Sequence, residues 1–161
     1  MNLMNEESKR KILRQIPYGL YVIGLKEGDS YHAFTGSWLS QCSLKPPRVM
    51  LGVRSGTHSL ELLKKGKFFS VNFLPKSEKN ILEKFFKPTP ANGNRFGDTG
   101  YSLKKTDTPI LDCALNFLEC EIKHLYEAGD HSIVVGEVVH AEVLQDGSPL
   151  IMSDTPWHYG G

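Results

Sequence analysis

The stretch CALNFLECEIKHLYEAGDHSIVVGEVVHAEVL, residues 113–144, decides the fold class of this chain. Over 113–127 apolar and polar residues alternate, which is the period of a strand with one buried face. The turn-forming residues EAGDH end this strand, and a second apolar run follows over 131–144. Two long strands joined by a short turn predict an antiparallel hairpin.

Upstream segments are also rich in strand-forming patterns, which are interrupted by a few amphipathic stretches. Strands are predicted over 18–25, from Tyr31 onward, over 48–53 and over 67–73. Helices are predicted over 5–15, 57–65 and 77–86, with Thr57 or Ser55 as the N-cap of the second and Ser77 capping the third. Hairpin connections without alternating βαβ units predict a mostly β (α+β) fold, an antiparallel Greek-key barrel with a few flanking helices.

Length and composition fit one globular domain spanning residues 1–161. Nineteen basic and eighteen acidic residues leave a net charge of +1, which gives no strong field for a nucleic acid. No apolar run reaches the ~20 residues that cross a bilayer, so no membrane association is expected. Three cysteines without a C-x-x-C pair argue against disulfides and a zinc site, and predict a cytoplasmic protein without a metal.

The segment AFTGSWLSQCSLKPP, residues 33–47, carries the first candidate site. Its hydroxyl side chains offer hydrogen-bond partners for a phosphate or the polar edge of a ring. Gly36 permits close approach of a ligand to the main chain, and Trp38 offers a flat apolar surface. Neither G-x-G-x-x-G nor G-x-x-x-x-G-K-[ST] occurs in the chain, so any nucleotide must be held by other means.

A second candidate site is RSGTHS, residues 54–59, at the start of the second predicted helix. The backbone N–H groups and the positive end of a helix dipole favour an anion at such a position. Arg54 adds a full positive charge. The alternative interpretation of both segments is an ordinary polar strand end followed by an ordinary helix cap.

A series of motifs in order resembles the flavin reductase family. These are PYG at 17–19, AFTGSWLSQCSLKPP at 33–47, the strand at 48–53, SGTHS at 55–59, GKFFSVNFL at 66–74 and GDHSIVVGEV at 129–138. The ending PLIMSDTPWHYGG, residues 149–161, is similar to the flavin reductase domains fused to diiron flavoproteins or rubredoxin. The resemblance implies an FMN-binding split barrel that is a homodimer.

The resemblance also implies which residues bind the cofactor. The first segment would hold the flavin ring, and the helix start would hold the phosphate. The implied cofactor-binding residues are Thr35, Gly36, Ser37, Trp38, Ser40, Cys42, Ser43, Arg54, Ser55, Thr57 and His58. His131 would lie on the face where the nicotinamide stacks and is the catalytic candidate. His158 and Tyr159 are within reach of such a pocket, and the loop at 87–100 is expected to border it.

The chemistry implied by the resemblance is hydride transfer from NADH or NADPH to bound FMN, with FAD as the alternative flavin. Electrons would then pass to free flavin, ferric iron or a redox protein. Two alternatives stay open from the sequence: a flavoredoxin-like carrier reduced by another protein, and a flavin-free binding module on the same fold.

Overall fold

The computed structural model describes residues 3–161 and consists mainly of antiparallel strands. Its helices are α1 (Glu6–Leu13), α2 (His58–Lys65) and α3 (Lys79–Lys84), with single 3₁₀ turns at Lys76–Glu78 and Met152–Asp154. Its strands are β1 (Tyr21–Glu27), β2 (Ser30–Gly36), β3 (Leu39–Ser43), β4 (Arg48–Arg54), β5 (Phe68–Phe73), β6 (Thr89–Pro90), β7 (Arg95–Phe96), β8 (Thr99–Leu103), β9 (Pro109–Leu111), β10 (Asn116–Glu127) and β11 (His131–Val143).

Eight strands form one sheet in the order β3-β4-β11-β10-β5-β1-β2-β6, and all neighbours are antiparallel. The long hairpin of β10 and β11 lies between β4 and β5, so helix α2 connects two strands that are not neighbours. The predicted fold class is confirmed. Within residues 3–161 the terminal strands β3 and β6 do not pair with each other, so the sheet is not closed into a full barrel.

Two apolar clusters flank this sheet. One packs strand residues such as Ile23, Leu51 and Phe69 against Leu60 and Leu63 of α2. The α2 helix forms where predicted, because the Thr57 side chain accepts a hydrogen bond from the Leu60 N–H and its apolar residues face the sheet. This packing fixes the position at which β4 ends and α2 begins.

The second cluster joins α3 to the small sheet of β7, β8 and β9. Phe96, in the predicted loop at 87–100, is buried against Phe85 and Tyr101. Buried polar groups fasten this layer: Asn72 donates to the Val22 carbonyl at 3.0 Å and accepts from the Leu111 N–H at 2.8 Å. A buried amide with satisfied partners specifies one arrangement of the two sheets.

Several sequence-based boundaries are wrong. Helix α1 ends at Leu13, and the helix expected over 77–86 is a 3₁₀ turn followed by the six residues of α3, with no side-chain cap from Ser77. The segment 33–47 is mostly two strands, β2 and β3. The loop at 87–100 contains the two-residue strands β6 and β7, and β9 was not predicted because three residues carry too little pattern.

Among the described residues, no helix has the length and apolar character needed to cross a bilayer.

Candidate functional site

A cleft of about 590 Å³ lies where the end of β2, the start of α2 and the C-terminal segment meet. Ligand sites in proteins usually enclose roughly 300–1,000 Å³. The cleft is lined by Leu20, Phe34, Thr35, Gly36, Ser37, Gly52, Val53, Arg54, Thr57, Ser59, Phe86, Lys87, Pro88, Met152, Trp157, His158 and Tyr159. Mostly apolar walls with a few polar groups suit a flat ring system that carries an anionic tail.

The polar end of the cleft is built from the turn between β4 and α2. Gly56 has φ +75°, a conformation that glycine adopts without strain, and it allows the chain to turn sharply into the helix. The Thr57 hydroxyl donates to the Arg54 carbonyl at 2.8 Å while capping α2, so its hydrogen atom is already committed. Within residues 3–161 the N–H groups of His58 and Ser59 have no backbone acceptor. Free N–H groups beside Arg54 form an anion-binding site.

The ring-sized part of the cleft begins at the end of β2. The Thr35 hydroxyl donates to the Leu82 carbonyl at 2.9 Å and the Thr35 N–H donates to the Phe85 carbonyl at 2.7 Å, which ties β2 to α3. The lone pairs of this hydroxyl can still accept from a ligand. A Cβ atom on Gly36 would lie 3.1 Å from Ile23 Cγ1, so the glycine keeps the chain close to the core.

Three aromatic side chains from distant parts of the chain meet beyond this point. The Trp38 ring lies 4.4 Å from the His131 ring and 5.1 Å from the Tyr159 ring, centroid to centroid. We call these three residues the aromatic trio. A Cβ atom on Gly52 would lie 3.2 Å from Trp38, so the glycine leaves room for the indole. The C-terminal segment therefore covers one side of Trp38.

His131 is held by hydrogen bonds at both ring nitrogens. Nδ1 lies 2.8 Å from Asp130 Oδ1, and Nε2 lies 2.7 Å from the Tyr159 hydroxyl. Because an ionised carboxylate only accepts, Nδ1 carries the proton and Nε2 accepts from Tyr159. The hydrogen bond from His131 lowers the pKa of the Asp130 carboxyl, which keeps it ionised. Burial raises the pKa of the Tyr159 phenol, which keeps it a donor.

The structure brings together some of the predicted cofactor residues and not others. Thr35, Gly36, Ser37, Arg54 and Thr57 line the cleft. Trp38 and His131 adjoin it through Tyr159, which itself lines the cleft.

The remaining predicted residues do not line the cleft: Ser40, Cys42, Ser43, Ser55 and His58. The first three lie on β3, the terminal strand of the sheet, where the Ser40 hydroxyl donates to the Gln41 carbonyl. The Ser55 N–H donates to the Asp130 carbonyl at 2.8 Å, which joins the helix start to the β10–β11 turn. The His58 side chain is directed toward Glu27.

Sequence reasoning missed most of the apolar wall, including Leu20, Phe34, Phe86, Met152 and Trp157. These residues are scattered from 20 to 157, and no local spacing connects them. Ser59, buried and lining the cleft, could have been found, because it belongs to the RSGTHS segment.

Cys113 and Cys120 lack the features of redox-active thiols. Burial raises the pKa of the Cys113 thiol to about 11 and that of Cys120 to about 12. Thiols with such pKa values stay protonated and behave as small apolar side chains. Cys42 is exposed on β3.

These residues fit a flavin mononucleotide. The anion-binding end suits a phosphate, and the walls suit a planar ring. The buried Trp38 Nε1–H has no acceptor within the described chain, and a donor without an acceptor suits a bound polar ligand. Arg54 and the α2 N–H groups would hold the phosphate, and Thr35, Gly36 and Ser37 would contact the ring.

Comparison with known proteins gives a consistent result. The family model described as "Flavin reductase like domain" matches residues 13–159. The chain is 34% identical over 136 residues to Diflavin flavoprotein A 1 of Synechocystis sp., covering 84% of this chain and 24% of that protein. It is 28% identical to the NADH:FMN oxidoreductase of Rhodococcus qingshengii, covering 83% of this chain and 69% of that one.

Among solved structures, the Streptomyces globisporus NADH:FAD oxidoreductase SgcE6 superimposes with a TM-score of 0.83 at 23% identity. The match covers all of this chain and 98% of that one. The chain thus spans about a quarter of the diflavin flavoprotein but nearly the whole of the stand-alone reductase. The family model confirms the resemblance that the motifs indicated.

Proposed function

The chain belongs to the flavin reductase-like domain family, and from that premise we propose that it binds FMN in the cleft and oxidises NADH or NADPH. Membership places it among flavin-dependent oxidoreductases. The choice of FMN, the nicotinamide donor and the site residues are the proposed part. The supporting observation is that one cleft is lined by the start of α2, by apolar side chains and by Tyr159, whose hydroxyl is hydrogen-bonded to His131.

Different residues would contact different parts of FMN. Arg54 and the free N–H groups of α2 neutralise the phosphate, and Thr35 and Ser37 orient the polar edge of the ring. Phe86 and Trp157 exclude water from the ring, packing edge to face at 4.9 Å between centroids. FMN has a phosphate for this anion site, which riboflavin lacks. We therefore propose FMN over FAD, whose adenylate would extend beyond the described cleft.

Bound flavin accepts a hydride from a reduced nicotinamide and passes the electrons on to an acceptor. The protein contributes position. Asp130 and Tyr159 fix the plane of the His131 ring, and Trp38 supports it from one side. His131, which pairs with Arg54 across β11 and β4, then orients the carboxamide or ring of the donor. The Rhodococcus relative is named for NADH and FMN, which supports this donor and this flavin.

A second function is favoured by one observation. Because this chain spans only 24% of the diflavin flavoprotein, a domain of this type also occurs within larger proteins. In that setting a flavin could be reduced by a neighbouring redox centre, as in a flavoredoxin-like carrier. Which of the two functions is correct determines the electron acceptor. The candidate acceptors are free flavin, ferric iron and a redox protein.

An absorption spectrum of the purified protein, followed by anaerobic addition of NADH and then NADPH, tests both functions. Bound FMN is expected to give a flavin spectrum that bleaches within seconds of donor addition. A flavin spectrum that only a reduced partner protein bleaches would favour the carrier. A colourless protein that does not bind added FMN would contradict the proposal.

We also propose a homodimer in a reducing compartment, the cytoplasm. Helix α1 buries none of its residues and exposes Ile12 and Leu13, and Ile16 beyond its end is also exposed. Leu44, at the end of the terminal strand β3, is 80% exposed. Exposed apolar residues of this kind are typical of surfaces covered by a partner. Light scattering after gel filtration is expected to give twice the chain mass, and the three free thiols suit reducing conditions.

A further inference from the structure

We propose that Glu27, His32 and His58 bind a divalent transition-metal ion of the zinc type, outside the flavin cleft. We call these residues the Glu27 cluster. Each residue offers one ligand atom, and the three atoms lie within 4.8 Å of one another. Among the described residues it is the one group of at least three His, Cys, Asp or Glu side chains with this property.

The fold brings the Glu27 cluster together from three elements. Glu27 is the last residue of β1, His32 lies in β2 across the same hairpin, and His58 is the first residue of α2. The packing of α2 against β1 and β2 closes the distance between His58 and the hairpin. These three residues share no motif and include no cysteine, so local sequence does not indicate the site.

The separations between ligand atoms are close to those of a tetrahedral site. Glu27 Oε2 lies 3.4 Å from His58 Nε2 and 2.7 Å from His32 Nε2. With zinc–nitrogen and zinc–oxygen bonds of about 2.0–2.2 Å, tetrahedral ligand atoms are about 3.3 Å apart. The shorter separation lies roughly half an ångström below this value, and the Glu27 and His58 side chains are about half exposed, so both can move by that amount.

The orientation of His32 also favours a ligand at Nε2. Its side chain is 12% exposed, and its buried Nδ1 has no hydrogen-bond partner in residues 3–161. All polar contact of the ring is therefore made by Nε2. The rings of His32 and His58 meet at 66° with centroids 5.1 Å apart, an edge-to-face contact in which neither ring stacks flat on the other.

The donor set determines the type of ion. Two imidazole nitrogens and one carboxylate suit Zn²⁺, Co²⁺, Ni²⁺ or Cu²⁺, whereas Mg²⁺ and Ca²⁺ prefer oxygen ligands. With neutral imidazoles the Glu27 cluster carries one negative charge, which a divalent cation compensates. On binding, the Nε2 lone pair of His32 coordinates the metal and the ring proton resides on Nδ1. Three protein ligands leave a fourth position to water.

Occupancy would tie the β1–β2 hairpin to the start of α2. Thr57 and Ser59, on either side of His58 in the chain, both line the flavin cleft. The metal would therefore fix the helix start whose N–H groups are proposed to hold the phosphate. The site itself needs no flavin, so it can be tested separately from the proposed function.

Cobalt titration of the protein, prepared without a polyhistidine tag and without flavin, tests the site directly. Co²⁺ is expected to bind one equivalent with visible absorption bands of tetrahedral intensity, and Zn²⁺ is expected to abolish these bands by displacement. Repeating the titration with FMN present separates the two proposals. Metal binding without flavin binding would contradict only the proposed function. Flavin binding without metal binding would contradict only the metal site.

Two variants and one control locate the site. His58→Ala and Glu27→Gln alter exposed side chains and are each expected to weaken Co²⁺ binding at least about tenfold, since loss even of a group supporting a ligand costs 10- to 100-fold. His124→Ala removes an exposed histidine of β10 and is expected to bind Co²⁺ like the wild type. Absence of saturable binding, or equal weakening by His124→Ala and His58→Ala, would overturn the proposal.

Discussion

The phosphate end of the cleft and the aromatic trio lie side by side, since His131 of β11 pairs with Arg54 of β4, but they are built in different ways. The phosphate end comes from one continuous segment, residues 54–59, where a strand ends, a glycine turns the chain and a capped helix begins. The aromatic trio combines Trp38, His131 and Tyr159, which are up to 121 positions apart in the chain. The sequence signals for the candidate anion site are local, whereas the trio exists only when the whole sheet and the C-terminal segment are in place.

This difference separates binding from reactivity. The phosphate end supplies charge and N–H donors, which contribute affinity. The aromatic trio offers one histidine fixed by two hydrogen bonds, which contributes orientation. Substitutions in the phosphate end are therefore expected to change the affinity for FMN, and substitutions in the aromatic trio are expected to change the rate of flavin reduction.

The largest effect is expected from Arg54→Ala. A hydrogen bond to a charged group contributes about 1.5–3 kcal/mol, so the dissociation constant for FMN should rise roughly 10- to 100-fold. Fluorescence titration measures it. Lys104→Ala, which removes an equal charge from an exposed position, is the control, and riboflavin should bind Arg54→Ala and wild type equally. Equal loss of FMN and riboflavin affinity would mean that Arg54 does not bind the phosphate.

The next effect is expected from His131→Ala, in the aromatic trio. Loss of an orienting side chain should slow reduction of the bound flavin by NADH about tenfold or more, since small misplacements of reactants cost large factors in rate. Affinity for FMN should change little. Stopped-flow absorbance measures the rate, with His124→Ala as the matched histidine control. Traces identical to wild type would remove His131 from the donor side.

A smaller effect is expected from Thr35→Val, near the end of β2. A neutral hydrogen bond contributes about 0.5–1.5 kcal/mol, so FMN affinity should fall about two- to tenfold. Because the same hydroxyl donates to the Leu82 carbonyl, the melting temperature should fall as well. Thr35→Ser keeps the hydroxyl and should restore both. A lower melting temperature with unchanged affinity would assign Thr35 to structure alone.

The smallest effect is expected from the ionisation of Tyr159. Burial raises the pKa of this phenol above its ordinary value of about 10, so the folded state retains a proton that the unfolded state loses. Folding stability should therefore decline as pH rises from the ordinary pKa to the raised one. Because Tyr21, Tyr31 and Tyr101 also have raised pKa values, Tyr159→Phe should show a smaller decline than the wild type in urea unfolding between about pH 9 and pH 11, a range that spans the ordinary tyrosine pKa. Parallel curves for the two proteins would contradict the burial effect.

The sequence allowed prediction of much of the fold but less of the site. Helix α2 and its Thr57 cap were predicted because capping and apolar spacing are local signals. The hairpin at 113–144 was predicted because alternation persists over two long strands. Strand β9 was missed because its three residues are fixed by Asn72 and Ser70 of β5 rather than by their own pattern. The terminal strand β3 was not predicted, because its serines are typical of a polar loop and indicated a ligand-binding loop instead.

Local chemistry predicted the longer strands, the capped helix α2 and the candidate anion site at Arg54, because the signals for each lie within a few positions of one another. Tertiary structure decided which hydroxyls face the cleft, how Tyr159 reaches His131, and that Glu27, His32 and His58 converge. The physical reason is that such contacts depend on the pairing of distant strands and the packing of α2. Those arrangements are stabilised by the burial of the whole core, and no short segment encodes them.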